Sequence, residues 1–157
     1  MKEKILEAFR DLGFKLEEEE GMGYCFNYEG LNLLYMYNEN DEEFLNIALP
    51  GIVEVEEDRM LQICALLEKI NSTLKYVKTY MLGNSVWLFY ERELFGEEDL
   101  MTVISRMILH LEAGLVFARK AMAEIEETMA NESSDDDTAE SAEEIVAKEI
   151  ADDEDNE

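Results

Sequence analysis

The pattern of apolar and polar residues divides the first part of the chain into helical and strand-like segments. Residues 2–14, KEKILEAFRDLGF, place Ile5, Phe9 and Leu12 at helical spacing, and Gly13 suits the left-handed position that ends a helix. This segment predicts a first helix.

Four segments with alternating apolar residues follow, namely FKLEEEE, GYCFNYEG, LNLLYMYN and EFLNIAL. Glycines or acidic residues separate them, which predicts an antiparallel meander. The residues expected on one face are Tyr24, Phe26 and Tyr28, then Leu31, Leu33, Tyr35 and Tyr37, then Leu45, Ile47 and Leu49. Pro50-Gly51 should end the last strand, because proline donates no hydrogen bond to a ladder.

The remainder of the pattern predicts a helix, a hairpin and a long helix. The segment DRMLQICALLEKINSTL has a helical stripe formed by Met60, Ile63, Cys64, Leu67 and Ile70. Two strands, LKYVKTYM and SVWLFYERELF, are joined by a tight turn at Gly83-Asn84. A third helix is expected from about residue 97 to about residue 128, with its main stripe at Ile104, Met107, Leu111, Leu115, Ala118 and Met122.

The predicted order is therefore α-β-β-β-β-α-β-β-α, which indicates an α+β domain with helices packed on an antiparallel sheet. We expect this domain to span residues 1–128. Residues 129–157 have the composition of a largely disordered acidic tail. A capping-box pattern at 141–144 favours a short helix over 142–151, and its apolar residues Ile145, Val146 and Ile150 are candidates for docking on a partner.

The charge limits the classes of partner. The net charge is −26; residues 131–157 hold 13 acids and one base, or −12, which leaves −14 for the rest. Both parts should repel nucleic-acid phosphates and anionic membranes. The charged N-terminus does not resemble a signal peptide, and no apolar run approaches the roughly 18–20 residues of a membrane span. We expect a cytoplasmic protein.

Candidate chemistry is sparse. The acidic stretch 38–43 lacks the glycine and glutamate positions of a calcium loop and predicts a turn instead. His110, the only histidine, is either structural or a proton-transfer group, and Cys25 and Cys64 are either buried thiols or a disulfide pair. Nucleophile motifs and glycine-rich phosphate loops are absent from the sequence. We therefore expect no enzyme activity, cofactor or metal.

The aromatic residues are more informative. All seven tyrosines, together with Phe26, Trp87 and Phe89, fall in predicted strands. Several strands are apolar on both faces, whereas one layer of helices can cover only one face. The aromatics therefore either pack the core and the sheet or form a protein-binding face.

The order of elements resembles the YbjN-like family, whose fold is similar to that of type III secretion chaperones. The resemblance rests on the LGF turn, the YEG hairpin, the strand ending ALPG, the helix ending LLEKIN, and two strands before a long helix. It implies a small, usually dimeric α+β domain without assigned catalytic residues, and a family sometimes described as sensory-transduction regulators. The acidic tail has no counterpart in this pattern.

These observations favour a non-enzymatic, dimeric chaperone-like or regulatory protein that binds a polypeptide partner. The candidate interface residues are Leu61, Ala65, Leu115, Ala118, Met122, Trp87 and Phe89. The alternatives are an acidic regulator or inhibitor that mimics the charge of nucleic acid, and an unrecognised enzyme.

Overall fold

The computed structural model describes the backbone of residues 1–154 and the side chains of residues 1–133. Its order of helices and strands confirms the predicted order, with one additional 3-10 turn at Glu57–Arg59. The helices are α1 Lys2–Asp11, α2 Met60–Thr73 and α3 Leu100–Glu154; the strands are β1 Glu17–Glu19, β2 Gly23–Tyr28, β3 Leu31–Met36, β4 Phe44–Glu54, β5 Val77–Leu82 and β6 Ser85–Glu93.

The six strands form one sheet in the order β1-β2-β3-β4-β6-β5, and every neighbouring pair is antiparallel. This confirms the predicted α+β class with an antiparallel sheet. The first four strands lie side by side as a meander, and the hairpin β5–β6 adds to β4 through β6. Strand β4 therefore lies inside the sheet, between β3 and β6.

Strand β4 is longer than the sequence predicts, because Pro50-Gly51 does not end it. The strand continues to Glu54, and its pairing with β6 shifts register between Leu49 and Val53. Gly51 has a positive φ of 64° at this point. A bulge of this kind accommodates a proline, which has no N–H for the ladder, while the strand resumes on the other side.

One face of the sheet, here called the covered face, packs against α1, α2 and α3. The predicted alternation is confirmed there, since Phe26, Leu33 and Ile47 join helix residues in one buried cluster. The α3 stripe is confirmed as well. All six of its members are buried, namely Ile104, Met107, Leu111, Leu115, Ala118 and Met122.

The buried stripe of α2 differs from the predicted one. It consists of Ile63, Leu66 and Ile70, whereas Met60 and Cys64 are exposed. The helix is turned so that Leu66, four residues before Ile70, faces the core. Both cysteines are free thiols, with Cys25 half-buried, so neither is the fully buried thiol that the sequence suggested.

Helix α3 begins at Leu100, slightly later than predicted, and extends beyond residue 128. Asp99 accepts hydrogen bonds from the Thr102 N–H at 3.4 Å and the Thr102 hydroxyl at 2.7 Å, so it acts as the N-terminal cap. Glu98 accepts from the Phe95 and Gly96 N–H groups. These hydrogen bonds lower the pKa of both carboxyl groups.

By length and composition, α3 is the one helix in the described part of the chain that could cross a membrane. Over Leu100–Ser133 its most apolar 18-residue window has a mean hydropathy of 1.5, and 39% of that window is buried. The buried part packs on the covered face of the sheet, as the core helix of a soluble domain does.

Candidate interaction surface

The second face of the sheet, here called the open face, carries an apolar cluster of its own. Leu34, Ala48 and Phe89 are buried there, and Cys25, Met36 and Trp87 pack around them. All six residues belong to strands, so the cluster contains no helix residue. Within the described part of the chain, the layer of helices lies on the covered face only.

Strand register aligns the centre of the open face in one row across the sheet. Cys25 pairs with Leu34, Leu34 with Ala48, and Ala48 with Phe89. Glu17 pairs with Cys25 at one end of the row, and Lys78 pairs with Phe89 at the other. Apolar residues therefore occupy the four central strands, and charged residues occupy the two edge strands.

Aromatic stacking contributes to the full burial of Phe89, which no helix residue among the described side chains covers. The Tyr80 ring lies parallel to the Phe89 ring, with centroids 4.1 Å apart and planes 4° apart. The Trp87 ring also stacks on Phe89, at 5.9 Å, and its indole N–H donates to the Ser85 hydroxyl. Tyr80 itself is 39% exposed, so the outer surface of this stack is available to a ligand.

The open face is acidic around its apolar centre. The alternation of the strands places five acidic residues on this face and one basic residue, Lys78; the acids are Glu17, Glu19, Glu54, Glu91 and Glu93. Burial, together with the charges of Glu19 and Glu17, raises the pKa of the Cys25 thiol. Cys25 is therefore held in its neutral form, which is the unreactive form of a thiol.

A polar triad crosses three strands of the open face. Asn46 donates from Nδ2 to Glu91 Oε1 at 2.8 Å, and Lys78 forms an ion pair with the other oxygen of Glu91. The Asn46 Oδ1 atom is buried and has no hydrogen-bond partner among the described residues. An unpaired acceptor in such a position is unfavourable unless a donor reaches it.

A cleft of about 390 Å³ lies beside this triad. Met22, Met36 and Phe44 provide its apolar surface, and Asp41, Asn46 and Glu91 provide its polar surface. Met22 and Phe44 are about two-fifths exposed. The cleft therefore combines apolar walls with carboxylate groups.

The acidic stretch 38–43 forms one end of this cleft, and the prediction that it is a turn between two strands is confirmed. The Asp41 N–H donates to the Asn38 carbonyl at 3.1 Å, and the Asn38 side chain accepts from the Asn40 N–H at 3.0 Å. In the part of the chain with described side chains, no group of three or more His, Cys, Asp or Glu residues is arranged to hold a metal ion.

Both edges of the sheet are protected from pairing with another strand. Strand β1 is three residues long and consists only of glutamates. At the other edge, the Asn71 side chain accepts from the Thr79 N–H at 2.8 Å and donates to the Thr79 carbonyl at 3.0 Å. Asn71 thus occupies the backbone positions that an added strand would use.

The structure separates the predicted interface residues into three groups. Trp87 and Phe89 lie together on the open face. Leu61 is 70% exposed on α2 and Ala65 is partly buried. The remaining three, Leu115, Ala118 and Met122, are buried within the subunit, in the core under the covered face.

The burial of Leu115, Ala118 and Met122 within the subunit corrects the prediction that they are interface residues. Ile52 and Val53, in the extended end of β4, lie beside them. Ion pairs from Arg59 to Glu126 and from Lys69 to Glu124 join this region to α3. The predicted end of β4 at Pro50 gave no sign that this strand would reach the stripe.

Two other predictions concern residues away from the open face. His110 lies at an exposed position of α3 with its ring near Tyr76 and Tyr90, at centroid distances of 5.3 and 5.7 Å, and these ring contacts favour the structural interpretation. The tail residues Ile145, Val146 and Ile150 lie on the part of α3 whose side chains are not described, so their docking on a partner stays a prediction.

Sequence reasoning missed most of the open face. It placed Tyr80 in a strand but did not pair it with Phe89, and it did not connect Asn46 with Glu91, which is 45 positions away. In the sequence, the face could have been recognised from the apolar residues at positions that point away from the predicted core. There is one such residue in each of three strands, namely Cys25, Leu34 and Ala48.

The arrangement of the six-stranded sheet and three helices places the protein in the class of small α+β domains with a YbjN-like fold. YbjN from E. coli, whose crystal structure is described as that of a candidate transcription regulator, superposes with a TM-score of 0.59 and 14% identity, covering 76% of this chain and 92% of its own. An uncharacterised protein from Methanothermobacter thermautotrophicus superposes with a TM-score of 0.53 and 17% identity, covering 81% of this chain and 97% of its own.

Neither a protein-family model nor a curated protein sequence matches the chain. At 14–17% identity, the structural similarity establishes the fold and leaves the activity open.

Proposed function

We propose that this protein is a non-enzymatic, cytoplasmic polypeptide-binding protein that receives a segment of its partner on the open face. The observation that carries the proposal is the set of partly exposed apolar side chains above the row Leu34–Ala48–Phe89, namely Met36, Phe44, Tyr80 and Trp87, on the face of the sheet that no described helix covers. An apolar patch of this kind, surrounded by polar residues, is typical of a protein-interaction site.

The protected edges support binding to the face rather than strand addition. The glutamates of β1 and the contact between Asn71 and Thr79 disfavour an added strand at either side of the sheet. A partner segment that lies over Tyr80 and Trp87 would instead gain contact with two aromatic rings, which are common anchors in protein interfaces.

Site-specific photo-crosslinking in cells tests this proposal. A photoreactive phenylalanine analogue replaces Tyr80, and in a control variant it replaces Leu109, which is exposed on the outer side of α3. We expect adducts at position 80, mapped by mass spectrometry to one segment of a partner polypeptide, and few at position 109. Equal labelling at both positions, or none at position 80, would contradict the proposal.

The proposal includes a homodimer, in which the exposed Leu61 and the adjacent Ala65 on α2 contact a second copy. Leu61 is 70% exposed, and Ala65 follows four residues later on the same side of the helix, so the two residues form one surface for a helix-to-helix contact. Sedimentation at micromolar concentration should give a dimer for the natural chain and a monomer for Leu61→Asp. A natural chain that sediments as a monomer would remove the dimer from the proposal and leave the open face unaffected.

A second candidate function is an acidic regulator that mimics the charge of nucleic acid. The net charge of −26 favours it, because a nucleic-acid-binding partner presents a basic surface. The two functions differ in what competes with the partner. Added DNA or RNA should displace the partner of a mimic, whereas it should leave an apolar segment on the open face in place.

A further inference from the structure

We infer that the segment received on the open face is basic as well as apolar, and that the cleft beside Asn46 and Glu91 takes one of its lysine or arginine side chains. This inference rests on the proposed function and names the chemistry of the partner. We call this cleft the Glu91 cleft; its lining includes Met22, Met36, Asp41, Phe44, Asn46 and Glu91.

The Glu91 cleft matches the two parts of a long basic side chain. Met22, Met36 and Phe44 offer apolar surface to the methylene stem, and Asp41 offers a carboxylate to the charged group. Glu91 is already paired with Lys78, but its oxygens have further acceptor positions toward the cleft. Lysine and arginine side chains commonly lie with the stem on apolar surface and the charge at a polar end. Asn46 adds an acceptor, Oδ1, that lacks a donor among the described residues.

The charge of the open face selects for such a partner. Lys78 is the only base on that face of the six strands and is already paired with Glu91, whereas four further acids share the face. Residues 1–130 carry 26 acids and 12 bases, a net charge of −14. A basic segment is therefore attracted over a distance of about 8–10 Å at physiological salt and is held by short contacts after docking.

The same charge disfavours two other occupants. The chain's own residues 131–157 carry a net charge of −12, so their approach to the acidic open face is repulsive. A second copy that paired through this face would bring five further acids and one base against it, which is also repulsive. A basic polypeptide is the occupant that the electrostatics favour.

Three synthetic peptides test the inference against the full chain. All three share one set of leucine and phenylalanine positions, and the intervening positions are all lysine, all glutamine or all glutamate. Trp87 is the only tryptophan, so its fluorescence reports binding at the open face. We expect the lysine peptide to bind at least about tenfold more tightly than the glutamine peptide at low salt, and the glutamate peptide to bind weakest.

Two variants with the same change in net charge locate the effect. Asp41→Asn with Glu91→Gln alters the Glu91 cleft, whereas Glu3→Gln with Glu7→Gln alters α1, on the other side of the sheet. The cleft variant should lose at least about tenfold in affinity for the lysine peptide, and the α1 variant should stay within about twofold. Equal losses would show that overall charge acts alone and would overturn the assignment of the cleft.

The possible outcomes separate the inference from the proposed function. Equal binding of the lysine and glutamine peptides would overturn the inference and support the proposed function. No binding of any peptide would contradict both. A Trp87 signal that changes with protein concentration alone would assign the open face to a second copy and overturn the basic occupant.

Discussion

The two faces of the sheet have similar apolar residues in their strands but different surroundings. On the covered face, side chains such as Ile47 and Leu88 are fully buried under three helices. On the open face, Ala48 and Phe89 are also fully buried, but only neighbouring strand side chains surround them. Burial alone therefore does not distinguish a core position from an interaction surface.

The two faces differ in what buries their side chains: helices on the covered face, and neighbouring strand residues on the open face. A covered-face side chain contacts helices that are part of the same folding unit, so its removal should lower the stability of the whole domain. An open-face side chain is buried only by neighbouring strand residues, such as the partly exposed Tyr80 above Phe89, and no described helix lies above it, so its removal should affect stability less and binding more.

The largest effect is expected at the centre of the covered face. Leu88→Ala should lower the free energy of unfolding by about 2–5 kcal/mol, because the helices above cannot fully close the cavity. Urea unfolding followed by circular dichroism measures this loss. Leu109→Ala, at an exposed position of α3, is the control and should change stability by less than about 0.5 kcal/mol. A loss below about 1 kcal/mol for Leu88→Ala would show that the covered face is packed as loosely as the open one.

A smaller effect is expected on the open face. Tyr80→Ala removes the ring stacked on Phe89, and such pairs contribute about 0.5–1.5 kcal/mol beyond the area they bury. Because the variant also loses the buried apolar area of the ring, we expect a loss somewhat above that range, accompanied by a red shift of Trp87 fluorescence as water reaches the stack. Tyr80→Phe keeps the ring and should leave both signals nearly unchanged. A loss as large as that of Leu88→Ala would mean that Tyr80 belongs to a second core.

The difference between the faces also shows how far the sequence could predict the structure. The order of elements and the inward alternation of Phe26, Leu33 and Ile47 follow from local periodicity, and both are confirmed. Local periodicity cannot reveal which strands pair. The row from Cys25 through Leu34 and Ala48 to Phe89 depends on the register across four strands. The sequence alone therefore did not show that these four residues lie side by side.

The prediction about Leu115 and Met122 failed for a related reason. Periodicity correctly placed both residues on the apolar stripe of α3, but the partner of that stripe was set by distant parts of the chain. The bulge at Gly51 lets β4 continue to Ile52 and Val53, beside the stripe. The sequence analysis had offered these residues as candidates for an interface, and local periodicity could not show that β4 would continue beside them.

A gain in stability is expected where α3 crosses the covered face. A Cβ atom on Gly114 would lie 3.4 Å from Leu88 and 3.5 Å from Val77, which is ordinary contact. Alanine is about 0.8–1 kcal/mol more favourable than glycine inside a helix, so Gly114→Ala should raise stability by about 0.5–1 kcal/mol. The reverse change at the exposed neighbour, Ala113→Gly, should lower it by a similar amount. A loss for Gly114→Ala would show that the helix lies too close to the sheet for one more methyl group.

The smallest effect on stability is expected in the turn 38–43, beside the open face. Its main-chain hydrogen bonds, from Asp41 N–H to Asn38 and from Phe44 N–H to Asp41, use carbonyl acceptors and do not depend on the acidic side chains. Asp41→Asn with Glu43→Gln should therefore change the free energy of unfolding by less than about 0.5 kcal/mol.

Calcium tests the same turn in another way. Glu42, whose carboxylate accepts from the Tyr37 hydroxyl at 2.7 Å, is already engaged within the protein, and the acids of the turn lie at an exposed surface. Stoichiometric calcium should leave the melting temperature nearly unchanged for both the natural chain and the double variant. A clear rise for the natural chain that the variant lacks would contradict the interpretation of the stretch as a turn alone. If stability is unchanged while Asp41→Asn with Glu91→Gln weakens binding of the lysine peptide, Asp41 acts on the ligand and has little part in the fold.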